Sequence, residues 1–177
     1  KPPPMDDASE AVILVDASDR ALGTAPKLDA HRSGDLHRAF SVLIDDGNGN
    51  LLLQKRHVDK YHSGGLWTNA CCGHPRPGED ALTAARRRLQ EEMGIACALS
   101  PLGTLVYRAD VGDGLVEHEL VHLFCGKHTG TVHPDAREAE AYAWRPLEEV
   151  LQEASSAPQR FTAWFRYYLA EGLMTSR

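Results

Sequence analysis

No apolar run in this chain approaches the ~20 residues that a membrane-spanning helix needs; stretches such as Val12-Ile13-Leu14-Val15 and Leu51-Leu52-Leu53 are far shorter. Positive charge is in deficit, with 19 lysines and arginines against 25 acidic residues and a net charge of −6. This excludes a nucleic-acid binder that works by bulk charge, although a local basic pocket remains compatible with it. Cysteine is sparse as well. Of the four, Cys71 and Cys72 are neighbours, and with Cys97 and Cys125 they form neither a CxxC motif nor a zinc knuckle. The opening Lys1-Pro2-Pro3-Pro4-Met5-Asp6-Asp7 has no basic stretch and apolar core of the secretory kind. The expectation is free thiols in a reducing cytoplasm. There is no internal repeat, linker or low-complexity stretch. A chain of 177 residues, 42% hydrophobic and 25% charged, suits one globular domain, expected over residues 11–177. Residues 1–10, Pro-rich and acidic, are expected to form a flexible tail.

Short strands in hairpins, with a few helices between them, predict an α+β domain with a mixed sheet and helices packed on its faces. Val12 to Val15 reads as a strand ended by the turn Asp16-Ala17-Ser18-Asp19. Residues 20–38 show little periodicity but carry Lys27, His31, Arg32, His37 and Arg38, and counting alone favours a solvated loop there. Leu36 to Ile44 and Leu51 to Arg56 read as a hairpin across Asp45-Asp46-Gly47-Asn48-Gly49-Asn50. Residues 57–66 form a loop with Lys60, Tyr61 and His62. A helix opens at Glu79 or Asp80 and runs to about Met93, with an apolar stripe of Ala81, Ala85, Leu89 and Met93 and a stop at Gly94. A second hairpin joins Leu99–Ala109 to Leu115–Lys127. A short strand spans Ala141–Arg145, a helix begins at Pro146, and a last helix covers Pro158–Glu171.

Three constellations carry chemistry. His31, His37, His74, Glu117 and Glu119 combine imidazole and carboxylate, a set suited to zinc, manganese or iron. Glu117 and Glu119 lie two apart on a strand and share a face, with His118 on the other. Taken singly, each histidine is more often a packed or surface residue than a ligand. Lys27, Arg56, Lys60 and Arg88 could clamp a diphosphate, with Mg²⁺ held by Glu92, which shares a helix face with Arg88; most cations of this kind are ordinary surface residues. Cys72 and Glu119 could do acid/base work, the thiol activated beside a histidine, whereas a buried structural role is the commoner fate of cysteine.

From Gly73 the spacing is five residues, Glu79, seven residues, Arg87, then Arg88-Leu89-Gln90-Glu91-Glu92-Met93-Gly94-Ile95. This resembles the Nudix box, a loop–helix–loop that brings glutamates to a divalent metal on a diphosphate. Arg88 stands where a Nudix hydrolase carries glutamate. A wider resemblance rests on six stretches, one of them within the box: Gly23-Thr24 with Lys27 and His31; Leu36 to Ser41; Trp67-Thr68-Asn69 through Cys72-Gly73-His74-Pro75; Arg87-Arg88 with Glu91-Glu92; Tyr107-Arg108-Ala109; and Glu117-His118-Glu119. Together they resemble the type 1 isopentenyl-diphosphate Δ-isomerase family of the Nudix superfamily, from Val12 to about Trp164.

That resemblance implies an α/β/α sandwich and an intramolecular isomerase of isoprenoid synthesis, acting as a monomer on a small diphosphate with no nucleic-acid or membrane partner. It implies His31, His37, His74, Glu117 and Glu119 as ligands of one divalent metal (Mn²⁺, Mg²⁺ or Zn²⁺). Glu92 would hold a Mg²⁺ on the substrate diphosphate, and Lys27, Arg56, Lys60 and Arg88 would bind that diphosphate. Cys72, not Cys71, would be catalytic; Tyr107 would assist Glu119, and Trp164 would lie over the reacting carbons. Moving a double bond needs a proton added at C4 and one removed at C2, with acid and base on opposite sides. The expectation is that Glu119, with Tyr107, delivers the first and Cys72 takes the second. Arginine at 88 binds phosphate but cannot ligate a metal, so the box would bind without hydrolysing. A Nudix hydrolase that cleaves a diphosphate is the alternative, and a catalytically silent Nudix-fold binding module is a third reading.

Overall fold

The structure, a computed structural model, describes residues 10–173; all but Glu10 of the tail expected at the N-terminus lies outside them. The chain runs β1 (Ala11–Val15), β2 (Ala21–Pro26), α1 (Lys27–Ser33), β3 (His37–Asp45), β4 (Asn50–Arg56), β5 (Trp67–Thr68), β6 (Cys71–Gly73), α2 (Ala81–Met93), β7 (Ser100–Gly112), β8 (Leu115–Lys127), β9 (Ala139–Pro146), α3 (Leu147–Ser156), a 3₁₀ turn (Pro158–Arg160) and α4 (Ala163–Ala170).

The sheet is mixed, and its register differs from the hairpin reading in one decisive place. β3 and β4 touch only at Asp45 and Leu51 and then part. β3 instead pairs in parallel with β8 along its whole length, His37 opposite Glu119, and antiparallel with β6, Ser41 opposite Cys72. β4 turns to β5 and β9. The β7–β8 hairpin is present as expected, with Tyr107 opposite Glu119. Turn chemistry at residues 45–50 correctly marked a chain reversal, but a turn cannot say how far its strands stay paired. That depends on which other strands compete for their edges.

Two cores flank the sheet. Phe40, Val42, Ile44 and Leu52 pack with Ala81, Ala85, Leu89 and Met93 of α2. Ala39, Leu51, Leu53, Val121 and Leu123 pack with Val150 of α3 and with Trp164, Phe165 and Tyr168 of α4. The alternation of strand side chains between faces produces this division, and the result is an α/β/α layering. The α2 stripe is as expected: Leu89 is 1% exposed and Met93 fully buried, so truncating Leu89 to alanine would cost about 2–5 kcal/mol. Asp80 caps the helix by accepting from the Thr83 N–H at 2.8 Å. Gly94 ends it at φ 66°, where a Cβ would also stand 2.9 Å from Cβ of His133.

Residues 20–38 are not a solvated loop. They hold β2, an edge strand exposed along most of its length and therefore without periodicity, and α1, stopped by Gly34 in the left-handed region. Lys27, His31 and His37 are each 3% exposed or less. The last helix is also divided: the 3₁₀ turn precedes Thr162, whose hydroxyl caps α4. The stretch 67–73 contains the short strands β5 and β6.

Candidate active site

Short-range order in the strands decides which thiol faces the cavity. Successive residues of a strand point to opposite faces. Cys71 accordingly enters the α2-side core, fully buried, while Cys72 packs on the other side beside Ser41 and Tyr168. One cavity is lined by Cys72, Glu119, Trp164, Lys27, Arg56, Lys60, Arg88, Glu92, His74 and Glu117. His31 and His37 lie immediately behind its wall, 0% exposed, and Tyr107 lies across the β7–β8 ladder from Glu119. The thirteen residues expected at the site thus meet in or against one cavity.

Three imidazoles converge, the ligand atoms of His31, His37 and His74 lying within 4.8 Å of one another. His31 donates from Nδ1 to the Lys27 carbonyl at 2.7 Å, and His37 from Nδ1 to the Asp35 carbonyl at 2.9 Å. A neutral ring that donates from Nδ1 presents a bare lone pair at Nε2. Those lone pairs face carboxylate oxygens: His31 Nε2 is 3.2 Å from Glu117 Oε1, and His37 Nε2 is 3.2 Å from Glu119 Oε2 without hydrogen-bond geometry. His74 Nε2 meets the same Glu119 oxygen at 2.7 Å. Glu117 Oε2 is buried with no hydrogen-bond partner among the described residues. Acceptors that face one another across a buried gap are satisfied by a cation, and three imidazoles with two carboxylates fit a divalent metal.

The electrostatics follow from burial set against pairing. Burial acts to lower His31 and His37, yet Glu117 and Glu119 raise both above the ordinary histidine value. At His74 burial prevails and the group is lowered. Burial acts to raise the Glu117 carboxyl, but the close imidazoles of His31 and His62 hold it well below the usual carboxylate range.

Around Arg88, cations and carboxylates alternate. Arg88 bonds Glu92 at 2.5 Å and Glu91 at 2.7 Å, and lies 3.3 Å from Glu138. Lys60 pairs with Glu138 at 2.6 Å. Burial works against the Arg88 charge, and Glu92 and Glu138 more than offset it. Glu92 is oriented by Gln54, whose Nε2 donates to it at 3.1 Å. Arg56 lies 5.2 Å from the centroid of the Trp164 ring, and Lys27 lies 5.0 Å from that of Tyr61.

Cys72 is not activated by a histidine. His74 turns to Glu119, and the sulfur meets Ser41 Oγ at 3.3 Å and Asn69 Oδ1 at 3.2 Å. Asn69 Nδ2 donates to the carbonyls of Val42 and Cys71, so its oxygen, which also accepts from the Thr68 hydroxyl at 3.0 Å, is the atom that faces the sulfur and accepts from a protonated thiol. Burial pushes Cys72 up to about 12. Burial likewise raises the Tyr107 phenol, which therefore stays a donor.

Sequence reasoning passed over two residues of this site. His62 was left in a polar loop, and Glu138 drew no notice because a lone glutamate before a strand carries no signal. Both are buried, 7% and 6% exposed.

Comparison with known proteins agrees with this architecture. The NUDIX domain family matches residues 35–165. A Burkholderia multivorans protein named isopentenyl-diphosphate Delta-isomerase is 52% identical over 156 residues, 88% of this chain and 89% of that one. A protein of the same name from Pectobacterium atrosepticum is 46% identical over 159 residues, 90% and 89% of the two chains. Among solved structures, the DR0079 protein of Deinococcus radiodurans superposes with a TM-score of 0.78 at 16% identity, covering 92% of this chain and 98% of its own. That likeness speaks for the fold alone. No described helix is long and apolar enough to cross a membrane.

Proposed function

This chain belongs to the isopentenyl-diphosphate Δ-isomerase family of Nudix-domain proteins, and on that premise we propose how its cavity moves the double bond. The enzyme interconverts isopentenyl and dimethylallyl diphosphate. The observation that carries the division of roles is that Cys72 and Glu119 line one cavity, from β6 and β8, on the two sides of β3.

Lys27, Arg56, Lys60 and Arg88 bind the diphosphate, Arg88 and Arg56 through their forked donors. Arg88, where a hydrolase has a carboxylate, anchors phosphate without supporting attack by water. Glu119, with the protonated Tyr107 behind it, delivers a proton to C4, because an unactivated alkene needs the stronger acid and a thiol near 12 is a poor one. The indole of Trp164, 4% exposed, faces the resulting tertiary cation with its π surface. A C2–H beside that cation is far more acidic than a thiol, so Cys72 need not be a thiolate beforehand. Its sulfur takes that proton as its own thiol proton leaves through the Ser41 and Tyr168 hydroxyls to replace the one Glu119 gave up, so the step ends with a neutral thiol and a protonated acid. When bound, a divalent metal at His31, His37, His74, Glu117 and Glu119 supplies fixed positive charge beside the acid, and a Mg²⁺ at Glu92 neutralises the diphosphate. Four free thiols suit a reducing cytoplasm.

The test is proton and phosphorus NMR of isopentenyl diphosphate in D₂O with Mg²⁺. Cys72→Ala should exchange deuterium into C4 without accumulating dimethylallyl diphosphate, and Glu119→Gln should exchange neither position. Full turnover by Cys72→Ala would sink the assignment, and release of monophosphate by the wild type would restore the hydrolase reading.

A further inference from the structure

The loop between β4 and β5 is built tightly enough to hold a side chain in place. Gly65 N–H bonds the Arg56 carbonyl, and Lys60 N–H bonds that of His57. Ser63 takes a left-handed φ of 55°, and a Cβ on Gly64 would stand 2.4 Å from the Val58 carbonyl oxygen. These constraints turn His62 inward. Its Nε2 lies 2.8 Å from Glu117 Oε1, its Nδ1 lies 3.0 Å from the Ser63 hydroxyl, and its ring stands edge-on to Trp164 at 5.8 Å and 88°.

The polarity of these contacts separates His62 from the ligand histidines. His31 and His37 donate from Nδ1 to backbone carbonyls, which leaves Nε2 bare toward the cluster. At His62 the Nδ1 partner is a hydroxyl, which can donate, and the Nε2 partner is a carboxylate, which can only accept when ionised. A neutral ring with its hydrogen on Nε2 satisfies both. The position agrees: His62 groups with His31 and Glu117 but not with His37 or His74, so it flanks the outer edge of the cluster.

We propose that His62 is a positioning residue of this isomerase. Its Nε2–H fixes the Glu117 carboxylate for metal binding, and its ring braces the Trp164 indole that faces the reacting carbons. The inference rests on the reading of Glu117 as a metal ligand. Removing an outer hydrogen bond to a metal ligand lowers metal affinity by about 10–100-fold.

The experiment measures Zn²⁺ and Co²⁺ affinity of the full chain by competition with a chromophoric chelator, alongside kcat, KM and the melting temperature in chelator. His62→Phe keeps a ring against Trp164 and removes the donor; it should weaken metal binding by about 10–100-fold, with the metal-free melting temperature little changed. His62→Gln restores a side-chain N–H and should recover most of the affinity. Should the Phe variant not fold, His62→Ala removes the donor without adding volume. Glu117→Ala is the control. If it weakens binding while the donor-free His62 variant binds as wild type, the proposal is overturned and the ligand reading stands. If Glu117→Ala itself binds as wild type, the ligand reading fails and the proposal with it. A Gln variant as weak as the Phe variant also overturns the proposal, because the donor would then not be what matters.

Discussion

Alkylation of Cys72 is the most direct probe of how this site holds its protons. An ordinary thiol titrates at 9.0, and burial pushes Cys72 up to about 12. At pH 8 the first is about one-tenth thiolate and the second about one part in ten thousand, a ratio near 10³. A more basic thiolate is a better nucleophile, with a Brønsted slope of about 0.4–0.5, which returns roughly 15- to 30-fold over three units. The net expectation is alkylation about 30- to 60-fold slower than that of a free cysteine peptide, before any hindrance to access. The assay is iodoacetamide at pH 8, quenched over time, with each cysteine followed separately by peptide mass spectrometry. The Cys72 rate should keep rising about tenfold per pH unit through pH 10, since the thiolate fraction grows that steeply below the titration point. A Cys72 that alkylates at pH 8 as fast as the free peptide would refute the reasoning. It would mean a thiolate at rest, and Cys72 would then be a preformed base.

The two adjacent cysteines should behave oppositely: Cys71→Ala, in the α2-side core, should keep turnover and lose about 1 kcal/mol by denaturant unfolding, whereas Cys72→Ala should lose turnover by about 10²-fold or more. Arg88→Met leaves Glu92 and Glu138 buried beside no guanidinium, so steady-state kinetics should show a raised KM for isopentenyl diphosphate and unfolding should show a loss of about 3–5 kcal/mol; an unchanged KM would remove Arg88 from the phosphate site. Gly64→Ala drives a Cβ into the Val58 carbonyl and should displace Lys60, Tyr61 and His62 together, lowering kcat and raising KM in the same variant. Arg87 holds the Glu79 carboxyl below its ordinary value of 4.5 through paired hydrogen bonds. A lowered folded pKa means stability present above 4.5 and lost as pH falls through the folded value, so Glu79→Gln should lose less stability than the wild type between pH 5 and pH 3.

The α2 helix was fully legible. Its stripe, its Asp80 cap and its Gly94 stop are local, and the structure has them within a residue or two. The β7–β8 hairpin was legible for the same reason. Residues 20–38 were misread because an edge strand exposed on both faces leaves no alternation, and because α1 has only seven residues, too few to display a period. The last helix was drawn too long, since Thr162 interrupts it with a cap that its aromatic neighbours obscured.

The sequence therefore carried the family resemblance, with the activity that it implies, and the residues that compete for a role: imidazoles, carboxylates, cations and a thiol are what they are wherever they lie. Tertiary structure decided what those groups do to one another. The parallel register of β3 on β8, which no turn signal announces, sets His37 against Glu119. The pleat of β6 turns Cys71 into the core and Cys72 into the cavity. Burial keeps that thiol protonated, and a strained loop carries His62 to Glu117 across 55 residues of chain separation. Each of these depends on distance in space and on exclusion of water, and both come into being only when remote segments pack.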